Sequence, residues 1–190
     1  MKPNQASNQL RIIAGNWRGR KLSFPTAPGL RPTPDRVRET LFNWLDPVIR
    51  GRHCLDLFAG SGALGIEAAS RGAAEVVLVD DNPRVVGNLR DQLQILNATQ
   101  LQVVQADVGS YLSATPRVFD IVFLDPPFRE SRLPECMHLL EACGWLAGEA
   151  WVYLEAEHGL VLDLPENWVL HRSKQAGQVD YHLVRRIKTN

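Results

Sequence analysis

Cysteine is scarce in this chain: Cys54, Cys136 and Cys143 are an odd number, and none stands in a CxxC pair. Neither a disulfide framework nor a zinc site is suggested, and a reducing, cytoplasmic setting fits best. Long apolar runs are missing as well. No stretch nears the roughly 18 uninterrupted apolar residues of a membrane span, and the polar start MKPNQASNQ lacks the apolar core of a secretory signal. His53, His138, His158, His171 and His182 are scattered without metal-ligand spacing, so no metal is expected. Internal repeats and low-complexity tracts are absent. What remains is 190 residues, 45% apolar and 22% charged, an ordinary globular composition with length enough for one substantial core.

There is no net charge either, since 21 Lys/Arg balance 21 Asp/Glu, but the zero conceals a gradient. Residues 1–52 carry ten Lys/Arg against Asp35, Glu39 and Asp46, a segment of +7, which leaves −7 for the rest. A basic arm on an acidic body points to a polyanionic partner, because screened attraction acts locally. A solvated arm that only aids solubility explains the same numbers.

Along the chain, residues 1–9 are polar and expected to fray. Arg11–Gly15 and Lys21–Pro25 read as two short strands around Asn16-Trp17-Arg18-Gly19-Arg20, a hairpin with glycine turn chemistry. Four of the twelve prolines fall in residues 25–34, which makes that stretch an extended connector. Asp35 is placed to cap the next helix, whose apolar face is Val37, Leu41, Trp44 and Leu45. Alternation follows: strands at His53–Phe58, Glu75–Val79, Leu101–Gln105, Phe119–Leu124 and Ala150–Glu155, with helices across Ala63–Ser70, from Pro83 to about Asn97, and near Leu133–Ala142. Strands apolar throughout and separated by helices predict a mostly parallel sheet covered on both faces. Trp168–Ser173 and Val179–Arg185 flank Gly177 and read as an antiparallel pair at its edge. The expected division is a basic arm and connector over 1–34 and an α/β domain over 35–190.

Ligands in such a sheet bind beyond the carboxyl ends of the strands, and several of these strands end in distinctive chemistry. Gly60-Ser61-Gly62-Ala63-Leu64-Gly65 is a complete G-x-G-x-x-G between strand and helix, with Asp80 twenty residues on from Gly60. The glycines let backbone approach a cofactor, and Asp80 can accept from two ribose hydroxyls. A dinucleotide and any other adenosine-containing cofactor both satisfy this pattern. Asp107, ending the third strand, can accept from an adenine amino group while the Val108 N–H faces a ring nitrogen; acids at strand ends also commonly cap helices. Asp125-Pro126-Pro127-Phe128 ends the fourth strand. Two consecutive prolines stiffen the turn and donate no hydrogen bond, so the Asp125 carboxylate and the Pro126 carbonyl can serve as fixed acceptors for an exocyclic amine. Phe128 offers a face on which a base stacks. Hydride transfer needs none of these.

Asp56-Leu57-Phe58-Ala59-Gly60-Ser61-Gly62 together with Asp125-Pro126-Pro127-Phe128 resembles the S-adenosylmethionine-dependent amino-methyltransferases of nucleic acids. Arg11–Gly15, Trp17–Leu22, Arg31-Pro32-Thr33, Asp35–Leu45 and Gly177-Gln178-Val179 narrow the likeness. With them the chain resembles the bacterial 16S ribosomal RNA guanine-N2 methyltransferases of the RsmD type over essentially its whole length. The resemblance implies a Rossmann-like class I methyltransferase fold, a seven-stranded sheet with an antiparallel C-terminal hairpin and a basic N-terminal β-hairpin arm. It also implies S-adenosylmethionine as cofactor, S-adenosylhomocysteine as product, and transfer to N2 of a guanine in 16S ribosomal RNA, within a 30S subunit or an assembly intermediate, by a monomer. Asp125, Pro126 and Phe128 would be catalytic, Asp56, Phe58, Gly60, Gly62, Asp80, Asp107 and Val108 would hold the cofactor, and Pro127 would meet the RNA. Thr33, Arg36 and Glu39 would lie near the cofactor mouth, with Arg36 also reaching RNA. At Asp80 relatives often carry Glu; either acid can bind a ribose diol.

A base inside a duplex cannot reach such a site, so the target is expected unpaired or flipped out. Arg18, Arg20 and Lys21 are then expected to grip phosphates around it, with Trp17 as a stacking surface. Asp-Pro-Pro-Phe alone leaves adenine-N6 and cytosine-N4 transfer open. A nicotinamide-dependent oxidoreductase explains Gly60–Gly65 and Asp80 but gives Asp125–Phe128 no role. A non-catalytic RNA-binding module on the same fold is the third reading, and the intact glycine loop and acceptors count against it.

Overall fold

Residues 8–25, 33–127 and 132–188 are described by a computed structural model. The chain opens with β1 (Asn8–Arg11) and β2 (Lys21–Phe24), an antiparallel pair with Leu10 opposite Leu22. The first strand lies earlier than the sequence predicts, taking in Asn8 and Gln9, which were expected to fray. Gly15 and Gly19 stand at φ 80° and 82°, a left-handed backbone that suits glycine, and they fold residues 12–20 into a loop instead of the rest of a strand. The helix α1 (Asp35–Leu45) follows. Asp35 does not cap it. Pro34 occupies that position with extended backbone, and the Asp35 carboxylate instead meets Arg38 Nη2 at 2.6 Å.

Next come β3 (His53–Asp56), α2 (Ala63–Ser70), β4 (Glu75–Asp80), α3 (Pro83–Leu96), β5 (Leu101–Gln105), α4 (Val108–Leu112) and β6 (Phe119–Leu124). Then follow α5 (Arg132–Ala142), β7 (Leu146–Glu157), β8 (Trp168–Ala176) and β9 (Val179–Arg186). The seven strands from β3 onward form one sheet in the order β5-β4-β3-β6-β7-β9-β8. The first five pair in parallel, while β9 is antiparallel to both β7 and β8. The antiparallel pair at the edge is longer than its sequence signal, because β-compatible polar residues such as Lys174 and Gln175 extend it.

Alternation along each strand sends side chains to two cores. Val76 and Leu78 face one with α1, α2, α3 and the N-terminal hairpin; Val77 and Val79 face the other with α4 and α5. All four are fully buried, each contributing about 1.5–3 kcal/mol of apolar transfer. The hairpin belongs to the first core, as Leu10, Ile12, Leu22 and Phe24 are buried in it. Chain order switches direction between β3 and its neighbour β6, which opens a crevice at their carboxyl ends. No helix among the described residues is long and apolar enough to cross a membrane.

Candidate active site

The glycine loop leaves β3 at Asp56 and enters α2 through Gly62. Gly62 holds φ 77°, and a Cβ there would stand 2.6 Å from Ile66 Cδ1 and 2.8 Å from Leu89 Cδ2. Its left-handed backbone and tight surroundings both require glycine. Gly65 is tighter still, since its Cβ would lie 2.1 Å from Leu78 Cδ2; helix and sheet meet there. Two carboxylates fix this loop. Asp56 Oδ2 accepts from the Gly65 N–H at 2.9 Å, and burial pushes the Asp56 carboxyl up to about 7 despite that bond. Asp80, closing β4, accepts from Gly60 N–H and Asn82 N–H, both at 2.9 Å. Burial raises its carboxyl too. Phe58 is half-buried at the turn.

Asp107 plays the helix-capping part that its position allowed. Its Oδ2 accepts from Ser110 N–H at 3.1 Å at the start of α4, and Arg132 Nη1 lies 3.0 Å from its Oδ1. These bonds hold the exposed carboxyl below its ordinary range. Val108, beside it, is buried. Carboxylate oxygens have further lone pairs, so Asp80 and Asp107 keep acceptor capacity beyond these contacts.

At the end of β6 the chain passes through Asp125, buried Pro126 and exposed Pro127; Phe128 lies outside the described residues. Thr33 donates its hydroxyl to Asp125 Oδ2 at 3.4 Å, which ties the connector ahead of α1 to the acid. In-register pairing of Leu124 with Leu154 brings Glu155 of β7 alongside. Glu155 accepts from the Tyr153 hydroxyl at 2.7 Å. Burial, then the neighbouring Glu155 and Asp56 charges, raise the Asp125 carboxyl well above its usual range. Burial raises Glu155 likewise. Sequence reading missed Glu155 and Tyr153; the available signal was an acid closing the strand predicted at Ala150–Glu155.

The cations divide into two groups. Arg36 is exposed in the first turn of α1, close in sequence to Thr33. Arg18 and Lys21 are also exposed, but the loop that carries them docks at the far ends of α2 and α3. There the Trp17 N–H donates to Ser70 Oγ at 3.0 Å, and Arg20 Nη2 donates to the Ile95 carbonyl at 3.3 Å. Since α3 has 14 residues, the Arg20 contact sits roughly 18 Å along it from the glycine-loop end. Trp17 is half-buried against the first core. The loop is held by Glu67, which accepts from Ile13 and Ala14 N–H at 2.8 and 3.0 Å.

A sheet of this order, with a glycine loop clamped by acids and an acidic Pro-Pro tip in the same crevice, defines a Rossmann-like methyltransferase. The chain belongs to the family described as Conserved hypothetical protein 95, whose model matches residues 10–185. It is 54% identical to Ribosomal RNA small subunit methyltransferase D of Escherichia coli (strain K12), covering 97% of this chain and 94% of that one. Identity to the protein of the same name from Haemophilus influenzae is 45%, covering 95% of each chain. The solved structure of yhhF from Escherichia coli superposes with a TM-score of 0.88 at 52% identity, covering 96% of this chain and all of that one.

Proposed function

We propose that this protein transfers the methyl group of S-adenosylmethionine to the exocyclic N2 of a guanine in 16S ribosomal RNA, acting in the cytoplasm as a monomer on a small-subunit particle. The observation that carries the chemistry is the rigid Asp125–Pro126 corner at the mouth of the glycine-loop crevice. The relatives named Ribosomal RNA small subunit methyltransferase D support the RNA target, and the sequence resemblance supports guanine N2.

The acceptors present fit an adenosine-bearing cofactor. Gly60 and Gly62 let the backbone approach it, Asp80 suits two ribose hydroxyls, and Asp107 with the Val108 N–H suits the adenine edge. Asp56 and Phe58 complete the wall. S-adenosylmethionine, when bound, supplies an electrophilic sulfonium methyl group. The protein's own work is positioning. The target nitrogen is a poor nucleophile because its lone pair is delocalised into the base. Asp125 and the Pro126 carbonyl accept its two N–H bonds and favour a pyramidal nitrogen with the lone pair directed at the methyl. Such preorganised acceptors bind a developing ammonium better than the neutral amine. Phe128 and Pro127 flank the base, and Arg36 meets a nearby phosphate. The Arg18, Arg20 and Lys21 loop reaches RNA well away from the target.

Labelled-methyl transfer to ribosomal RNA and small subunits from cells lacking this protein tests the reading. Nucleoside analysis should yield N2-methylguanosine. N6-methyladenosine would overturn the base assignment, and absence of label in any ribosomal RNA would overturn the activity.

A further inference from the structure

The hairpin cations lie near the far ends of α2 and α3, so beside the target the RNA strand meets Arg36, and a longer footprint calls for a further source of positive charge. Strand register supplies one. Glu155, beside Asp125, pairs with Tyr181, and Tyr181 pairs with Lys174. One row down, Phe123, Tyr153, Leu183 and Arg172 are successive partners. Partners in register share a face, so Arg172 and Lys174 stand on the α1 side of the sheet. They are two strand spacings beyond β7, about 10 Å, and about 7 Å from each other. Trp44 of α1 stacks on Tyr181 with centroids 5.5 Å apart, which covers β9 and leaves β8 outside the helix.

Both cations are exposed, and among the described residues neither has an ion-pair partner. Below them Trp151 has His171 edge-on at 4.9 Å and Arg185 over its ring at 5.8 Å. The opposite face of β8, bearing Trp168, Leu170, Ser173 and Gln175, has no charge. On that side Arg186 is held by Glu141 at 2.7 Å. Cations on an edge strand also prevent sheet-to-sheet pairing. That role needs charge on the edge but not on one face alone, nor in register with the acidic tip.

We propose, building on the ribosomal RNA reading above, that Arg172 and Lys174 with the Trp151–Arg185 pair form the track that holds the RNA strand flanking the target base. Phosphates lie on the two cations, and the aromatic surface below takes a base or sugar.

The test measures binding of a small-subunit ribosomal RNA fragment against salt for the full chain, its Arg172→Ala/Lys174→Ala variant, and Arg117→Ala on the other face. S-adenosylhomocysteine binding serves as the folding control. Loss of two phosphate contacts should weaken RNA binding roughly tenfold and lower the salt slope by roughly 1.5, with wild-type values for Arg117→Ala. Arg172→Lys/Lys174→Arg should restore the slope. Wild-type affinity and slope in the double alanine variant would overturn the track, as would new self-association with RNA binding intact. Should the wild type methylate a different base while the double variant still loses affinity, the track stands and only the base assignment falls.

Discussion

Glu155 of β7 stands in register beside Asp125 at the end of β6, and its charge raises the Asp125 carboxyl. Two buried carboxyls side by side repel when both are ionised, so the pair favours holding one proton. Among the described residues, the other polar groups facing the pair are the Thr33 and Tyr153 hydroxyls and the Asp56 carboxyl. Asp125 and Glu155 therefore titrate as a coupled pair, both raised by burial. The Glu155 charge raises the Asp125 carboxyl further, whereas the Tyr153 hydroxyl that donates to Glu155 favours its ionised form, so the proton lies toward Asp125 and the charge toward Glu155.

This pair sets a pH dependence. Both carboxyls sit above their ordinary range, so the fold favours the protonated forms. The stability they contribute is complete below the ordinary carboxylate range and is lost as pH rises through the raised values. Glu155→Gln keeps a hydrogen-bonding group and removes one ionisation. The melting temperature of the variant relative to wild type should therefore rise as the pH climbs above the ordinary carboxylate range. The rising limb of the methyl-transfer rate should also move to lower pH, because a like charge beside Asp125 is gone. Superimposable pH profiles for the two proteins would show that no proton is shared.

Asp125→Ala removes an acceptor for the amine and leaves the glycine loop intact. Turnover should fall by roughly 10²–10³, equivalent to about 2.7–4 kcal/mol, with S-adenosylhomocysteine affinity within a factor of a few of wild type. Calorimetric titration beside single-turnover transfer separates the two quantities. Near-normal turnover would remove Asp125 from the chemistry.

The sheet was legible because central strands carry apolar runs such as VVLV of β4 and IVFL of β6, each closed by an acid. The glycine loop was legible because a left-handed turn leaves a compositional mark. Side-chain partnerships across the sheet were not. Glu155 takes its meaning from strand register, and nothing in AWVYLEAE states that its neighbour is the Asp125 strand. Arg38 was passed over for a similar reason. In DRVRETLFNWL it reads as one charge among several, yet its side chain is fully buried and donates to the Arg11 carbonyl at 2.9 Å. The position of the Arg18–Lys21 loop was hidden too, because docking on Ser70 and Ile95 depends on tertiary contacts fifty or more residues away in sequence.

Arg38 and Glu67 form the joint between hairpin and domain. Arg38 Nη1 lies 3.7 Å from Glu67 Oε2, and both side chains have no exposure. Glu67 also accepts from Arg71 Nε at 2.8 Å. Arg38→Leu leaves Glu67 with one fewer countercharge in a buried site, a change that costs about 3–5 kcal/mol. Chemical denaturation should show that loss. Restoring neutrality with Arg38→Leu/Glu67→Gln should recover part of it, a non-additivity expected for residues in one network. Full additivity of the two single changes would mean that the charges do not interact.

The placement of Arg18 and Lys21 separates two kinds of RNA. Their loop ends near the carboxyl termini of α2 and α3, roughly 18 Å from the glycine loop along α3. A short oligonucleotide centred on the target base does not extend that far, whereas folded ribosomal RNA does. Arg18→Ala/Lys21→Ala should therefore lower the affinity for a long RNA fragment or a small subunit and reduce its salt slope by about 1.5. Affinity for a target-centred oligonucleotide of a few nucleotides should stay within a factor of two of wild type. Filter binding across a salt series with both ligands makes the comparison. An equal loss on the short ligand would place these cations at the target base, and no loss on either would make the hairpin loop a solvated surface.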